Sequence, residues 1–354
     1  MRILAQRLDG PAPGPPIRQI AVRRSFSTAI ITCFEPYRTS MPLDPRARRF
    51  LDTLAAMNPP SALALSVEER RAGLAQLLSF SGTPEEVAAV DEFELPGPAG
   101  ALAVRAYTPS GAHIGERLPG MVYFHGGGLV AGNLDTHDPV CRSLSNASGC
   151  RVLSIDYRLA PEHRFPAAVE DGCAAAVWIA AHAEKLLVDR QRLGLSGDSA
   201  GATLAAVVCH RITAAGREPL AFQFLLCPIT DFAAESDSRR SLARGYLVDR
   251  DTLEHDLKYY LAGDTDRSDP RVSPLRAADV SRLPPTVVHT AEFDPLQDEG
   301  QAYAQRLQKA GVRTLYRCHP GMIHLFYGMR GLMPYAGVAF AEMGADIRSL
   351  LKSP

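Results

Sequence analysis

Gly197-Asp198-Ser199-Ala200-Gly201 is the stretch whose residue types and order point most directly to chemistry. The apolar run Arg192–Leu195 precedes it and a helical pattern opens at Ala200. A serine held between small residues in a sharp strand-to-helix turn projects its hydroxyl from the end of a sheet, as a nucleophile must. The peptide N–H of Ala200 then lies at a helix N-terminus, where developing negative charge is stabilised. Glycine-rich turns of this kind also occur without catalytic duty. Here the strand before and the helix after favour Ser199 as nucleophile.

Such a serine needs a base, and the base needs a group to orient it. The histidines downstream are His210, His255, His289, His319 and His324. His210 falls in the helix behind the serine, His255 in a polar insertion, and His289 inside a strand. His319 ends the last strand and is followed by Pro320. His324 lies further on, in a loop able to reach back over Ser199, and is the favoured base. The orienting acid should follow the preceding strand, Thr286–His289. Asp294 stands at that strand-to-helix turn, with Pro295 expected at the first helical position. Glu292 and Asp298 are weaker candidates, and Asp294 could also serve simply as the helix N-cap.

His125-Gly126-Gly127-Gly128 follows the apolar strand Met121–Phe124. Its backbone can approach a ligand closely and aim N–H groups at an oxyanion. The same window satisfies a dinucleotide fingerprint, with Gly126, Gly128 and Ala131 in the fingerprint positions and the next strand ending at Asp156. Alone it serves both readings equally; the serine turn downstream favours an oxyanion hole. There is no HExxH and no histidine paired with cysteine or carboxylate at ligand spacing, so no metal is expected.

The elements that must position these residues can be read from periodicity. Strand-like runs occur at Val90–Leu95, Ala101–Tyr107, Met121–Phe124, Arg151–Ile155, Arg192–Leu195, Ala221–Leu226, Thr286–His289 and Val312–Cys318. Helical patterns at Pro166–His182, Ala200–Ala215, Leu296–Ala310 and Val338–Leu351 separate most of them, predicting an α/β protein with a mostly parallel sheet of about eight strands covered on both faces. The first two runs, joined by Gly97-Pro98-Ala99-Gly100, predict an antiparallel hairpin at one edge. Two amphipathic helices come earlier, one opened by Asp44-Pro45 and one by a Ser66/Glu69 capping box. Between Asp231 and Asp279 the alternation lapses around one helix near Leu253–Leu261. The organisation expected is a leader over residues 1–40, helices covering the site over 41–87, a core over 88–229, an insertion over 230–279 and the rest of the core over 280–354.

Composition narrows the partners. Of the 354 residues 46% are hydrophobic and 22% charged, with a net charge of −1, which suits a packed domain and gives no basis for nucleic-acid binding. Seven cysteines, an odd number with no CxxC pair, argue against a disulfide framework and fit a cytoplasmic location. No window approaches the roughly 18 apolar residues of a membrane span, so stable membrane insertion is not expected. Arg23-Arg24-Ser25-Phe26 resembles the start of an export signal, but the apolar stretch after it is short and ends at Glu35-Pro36. A disordered or wrongly assigned leader before Met41 is the expectation. A small ester is the expected partner, and homodimerisation is left open.

Taken in order, the motifs resemble those of the hormone-sensitive-lipase-like carboxylesterases marked by GDSAG. The matching blocks are His125–Gly128 with Gly132–His137, Asp156–Ala168, Gly197–Gly201, and Glu292–Leu296 with His324. The resemblance covers about Met41 to the C-terminus. It implies an α/β-hydrolase core with a helical cap and hydrolysis of short- to medium-chain acyl esters without a cofactor. It also implies a triad of Ser199, Asp294 and His324 and oxyanion donors among Gly126, Gly127, Gly128 and Ala200, chiefly Gly127 and Gly128. Two departures stand out: Ala202 and Leu325 occupy positions where the family commonly has glycine. The Asp156–Ala168 block reads as structural. Rival readings are an amidase or formamidase with the same triad, a non-catalytic ligand receptor, and a dinucleotide-dependent oxidoreductase.

Overall fold

A computed structural model describes residues 42–113, 115–216, 220–263 and 265–352. The leader expected over 1–40, with its paired arginines, lies outside the described residues. Among the described residues eight strands form one sheet: β1 (Ala89–Gly97), β2 (Gly100–Thr108), β3 (Leu118–Phe124), β4 (Arg151–Ile155), β5 (Val188–Asp198), β6 (Phe222–Leu226), β7 (Thr286–Phe293) and β8 (Thr314–Ile323). Their order is β1-β2-β4-β3-β5-β6-β7-β8. β1 and β2 pair antiparallel across Gly97 and Gly100, β2 is antiparallel to β4, and the remaining neighbours are parallel.

The helices are α1 (Pro45–Ala56), α2 (Val67–Leu78), α3 (Asp138–Ser148), α4 (Ala167–Ala181), α5 (Ala200–Ala214), α6 (Asp237–Ser241), α7 (Arg250–Tyr260), α8 (Gln297–Lys309) and α9 (Tyr335–Leu351). Alternate residues of the central strand face opposite layers. Val122 and Phe124 pack in a core with residues of α4, α5 and α8, while Met121 and Tyr123 pack with residues of α3 and α9. Burial on both faces is why these strands read as continuous apolar runs rather than alternating ones.

The two early helices start as their caps dictate. Asp44 accepts from the N–H groups of Arg46 and Ala47, and Ser66 and Glu69 close a reciprocal capping box. The segment between β6 and β7 divides in two. Its α7 lies with α2 along the cavity above Ser199. Its α6 and the turn at Pro274–Arg276 pack instead against α8, where Ser238 N–H donates to Asp298 at 2.7 Å and Arg306 donates to the carbonyls of Leu275 and Ala277. No helix among the described residues is long and apolar enough to cross a membrane.

Candidate active site

Ser199 sits between β5 and α5 with φ 51° and ψ −124°, a conformation most residues avoid and a strained turn imposes. The flanking glycines are required by space. A Cβ on Gly197 would meet the backbone of Gly201, and a Cβ on Gly201 would meet the carbonyl of Phe124 at the end of β3. Only glycine at both positions lets the turn close against the neighbouring strand, which aims the serine hydroxyl out of the sheet.

β7 and β8 supply the partners. β8 runs on through His319 and Pro320 to Ile323, beyond the end expected at Cys318, and His324 follows directly. His324 Nε2 is 3.0 Å from Ser199 Oγ, and its Nδ1 is 2.6 Å from Asp294 Oδ2. Asp294 and His324 are buried, at 0% and 2% exposure, so their hydrogen bond is sheltered from competing water. Asp294 Oδ1 also accepts from Leu296 N–H at 2.9 Å. The carboxylate thus both ties down the turn and holds the imidazole. α8 opens at Gln297 rather than at Pro295, because Asp294 and Pro295 belong to that turn.

The other candidates go elsewhere. Glu292 accepts from Gly321 N–H at 2.9 Å, and Asp298 holds Ser238. His289 Nδ1 and His319 Nε2 face each other at 2.9 Å within the strands. His210 is near Tyr303 Oη at 3.2 Å, and His255 lies in α7 beside Asp256.

Gly127 and Gly128 line the same cavity as Ser199 and His324. Among the described residues neither N–H has a hydrogen-bond acceptor. Ala200 begins α5, where the first N–H groups lack intrahelical partners. Gly126 is a correction. Its N–H donates to Asp198 Oδ1 at 2.8 Å and is not free for an oxyanion. The dinucleotide layout fails for a related reason: the glycine loop does not open a helix, since α3 begins only at Asp138.

Asp198 is the residue whose importance the motif hid. It is fully buried, and besides Gly126 N–H it accepts from Tyr123 Oη and from Tyr327 Oη, the latter at 2.9 Å. Burial alone would push its carboxyl up; the adjacent His137 and the two hydroxyl donors bring it down to about 2. One carboxylate therefore joins the glycine loop, the serine turn and the turn after His324. A carboxylate flanked by serine and glycine in a buried turn was the only local hint of this, and its partners lie far away in sequence.

Cys227 Sγ, Asp294 and His324 offer ligand-type atoms within 4.8 Å of one another. Burial holds the Cys227 thiol well above its usual range. The carboxylate and imidazole are already committed to each other.

The cavity measures about 990 Å³, near the top of the usual range for small-molecule sites. Phe50, Leu54, Leu74, Leu77, Leu253 and Leu257 give it an apolar wall, and Leu325 lies beside the histidine. Leu325 has φ 64°, the left-handed region that favours glycine, the residue the resemblance leads one to expect there. No residue of 156–168 reaches the cavity. Tyr157 Oη instead donates to the carbonyl of His125 at 2.6 Å, and Arg158 clasps Asp171, as a structural block should.

A family described as alpha/beta hydrolase fold matches residues 121–328, more than half of the chain. A carboxylic ester hydrolase of Mycobacterium tuberculosis, LipN, is 40% identical over 268 residues, 74% of this chain and 70% of that protein. An arylesterase of Saccharolobus solfataricus is 35% identical over 290 residues, 81% of this chain and 93% of its own. Among solved structures, the ester-hydrolase EH1AB1 from the Lake Arreo metagenome superposes with a TM-score of 0.85 at 42% identity, over 88% of this chain and all of that one.

Proposed function

Since the chain belongs to the hormone-sensitive-lipase-like carboxylesterases of the α/β-hydrolase superfamily, we propose that it hydrolyses short- to medium-chain acyl esters through an acyl-enzyme on Ser199. The observation that carries this reading is the hydrogen-bonded series Asp294–His324–Ser199, at 2.6 and 3.0 Å, opening into an apolar cavity.

His324 Nε2 takes the Ser199 proton as Oγ bonds to the ester carbonyl carbon. The carbonyl oxygen becomes an oxyanion and is held by the N–H groups of Gly127, Gly128 and Ala200. Asp294 keeps Nδ1 protonated and stabilises the imidazolium. His324 then gives its proton to the alkoxy oxygen, the alcohol leaves, and Ser199 carries the acyl group. Water enters, loses a proton to His324 and attacks the acyl carbon. Return of that proton to Ser199 Oγ releases the carboxylic acid.

Helices α1, α2 and α7 act as a cap that fits the acyl and alcohol groups, and their apolar residues favour hydrocarbon over charged substituents. The buried free thiols Cys141, Cys150, Cys209 and Cys227 suit a reducing compartment, so we place the enzyme in the cytoplasm.

The test is a p-nitrophenyl ester series from C2 to C12 with wild type and Ser199→Ala, together with labelling by a fluorophosphonate. Wild type should turn over and be labelled stoichiometrically, with a preference at or below about C8. Ser199→Ala should lose on the order of 10⁶ in kcat and all labelling. Retained turnover in Ser199→Ala would overturn the mechanism.

A further inference from the structure

Arg70 in α2 and Asp256 in α7 form a charge pair in the cavity wall that no step of the acyl transfer uses. Arg70 Nε donates to Asp256 Oδ1 at 3.0 Å and Nη2 to Oδ2 at 2.7 Å, a bidentate fork. The side chains are 14% and 8% exposed. His255 adds to the arrangement, with Nδ1 3.0 Å from Asp256 Oδ1 and Nε2 3.2 Å from the carbonyl of Leu65. The pair therefore joins the two helices over the cavity.

Its position relative to the oxyanion loop matters more. Gly128 has φ 68°, and a Cβ placed there would fall on the Asp256 carboxylate. The carboxylate thus lies against the peptide proposed to donate to the oxyanion. A bare negative charge there would oppose the negative charge that grows in the transition state, and a low-dielectric cavity would amplify the effect. A guanidinium fixed on the same carboxylate cancels most of that field.

Resting on the acyl-transfer reading above, we propose that Arg70 is a positioning residue. It holds Asp256 against Gly128, so that the carboxylate shapes the oxyanion loop, and it neutralises the charge this introduces. The two halves of the pair are consequently unequal. Removing the arginine leaves the carboxylate at the worst place with only the His255 Nδ1 contact to offset it, whereas removing both charges does not. A pair that merely fastened α2 to α7 would show no such ranking.

The experiment measures kcat and KM on a p-nitrophenyl ester for wild type, Arg70→Met, Asp256→Asn and the double variant, with thermal melts of each. Arg70→Met should lose on the order of 10² in kcat, the scale of removing one oxyanion donor, with KM within about threefold of wild type. Adding Asp256→Asn should recover about tenfold of that loss. A double variant no faster than Arg70→Met, or Arg70→Met at the wild-type kcat, overturns the proposal. Should Arg70→Met not fold, Arg70→Lys and Arg70→Gln decide. Lysine keeps the charge but gives up the two-bond fork, so it should hold kcat within about tenfold, while glutamine should lose most of it. Equal rates in those two overturn the proposal as well. Failure of the underlying mechanism is recognised separately, by turnover that survives Ser199→Ala.

Discussion

β7 and β8 each contribute to two histidine clusters that differ in one respect. Past the strand ends, His324 faces Asp294 on one side and Ser199 on the other, at the cavity. Within the strands, His289 and His319 face each other, and their outer nitrogens meet Asp346 and Tyr335, both at 3.2 Å. Every one of these histidines is buried. Burial and a carboxylate partner therefore do not by themselves make a base. What separates the clusters is that a loop residue keeps one nitrogen for the proposed nucleophile beside a cavity, while strand residues packed beneath α9 spend both nitrogens on structure.

Substitution can break that contrast, and the largest effect should fall on the loop histidine. His324→Ala should lower kcat on the order of 10⁶, measured under saturating ester, as when a serine hydrolase loses its base. Asp294→Asn should cost roughly 10⁴, because it no longer fixes the tautomer; near-wild-type turnover would remove Asp294 from the mechanism. His319→Gln should keep kcat within about threefold while lowering the melting temperature, since it leaves buried partners unsatisfied. A loss of turnover as large as that of His324→Ala would show that the strand pair also serves the reaction.

Acid should also separate the two. Burial, reinforced for His319 by its histidine and arginine neighbours, depresses both strand histidines, His319 to about 2. The unfolded chain then binds more protons than the native one below about pH 6.5, so stability should be full above that value and decline as the pH falls. The groups facing the pair are Asp346, Arg317, Glu342 and Tyr335. Urea midpoints from pH 7.5 to 5 should show the decline, and His319→Gln should make it shallower. His125 and His210, also depressed, to about 3 and about 4, will keep part of it. An unchanged slope in His319→Gln would exclude His319 as a source.

The smallest change concerns the residue beside the proposed base. Leu325→Gly relieves left-handed strain worth roughly 1–2 kcal/mol but empties a buried site, a loss of about 2–5 kcal/mol, so the variant should melt lower. Its cavity is larger, and the ratio of kcat/KM for a long or branched acyl chain over acetate should rise. A fall in that ratio would mean that Leu325 grips the chain rather than limiting it.

Much of this was legible in the sequence because the determinants are local. All eight strands, the serine turn and both early helix caps depend on residues adjacent in the chain, and Ser199, Asp294 and His324 could be ordered by counting elements. Gly126 was misjudged because its partner, Asp198, is 72 positions away. The Arg70–Asp256 pair spans 186 positions and was missed for the same reason. A signal was present: Arg70 falls on the stripe of Val67, Leu74 and Leu78 that α2 buries, and a charge on a buried stripe needs a partner. The short α6 was missed because its polar sequence, Asp-Ser-Arg-Arg-Ser, carries no apolar period to read.

Asp198 fastens three loops that would otherwise move separately, and this bears on how the molecule fails under heat. Fraying of one loop ahead of the others would leave a buried carboxylate short of donors, which is costly, so the three should let go together. Inactivation on warming ought then to track the melting of the whole sheet rather than run ahead of it.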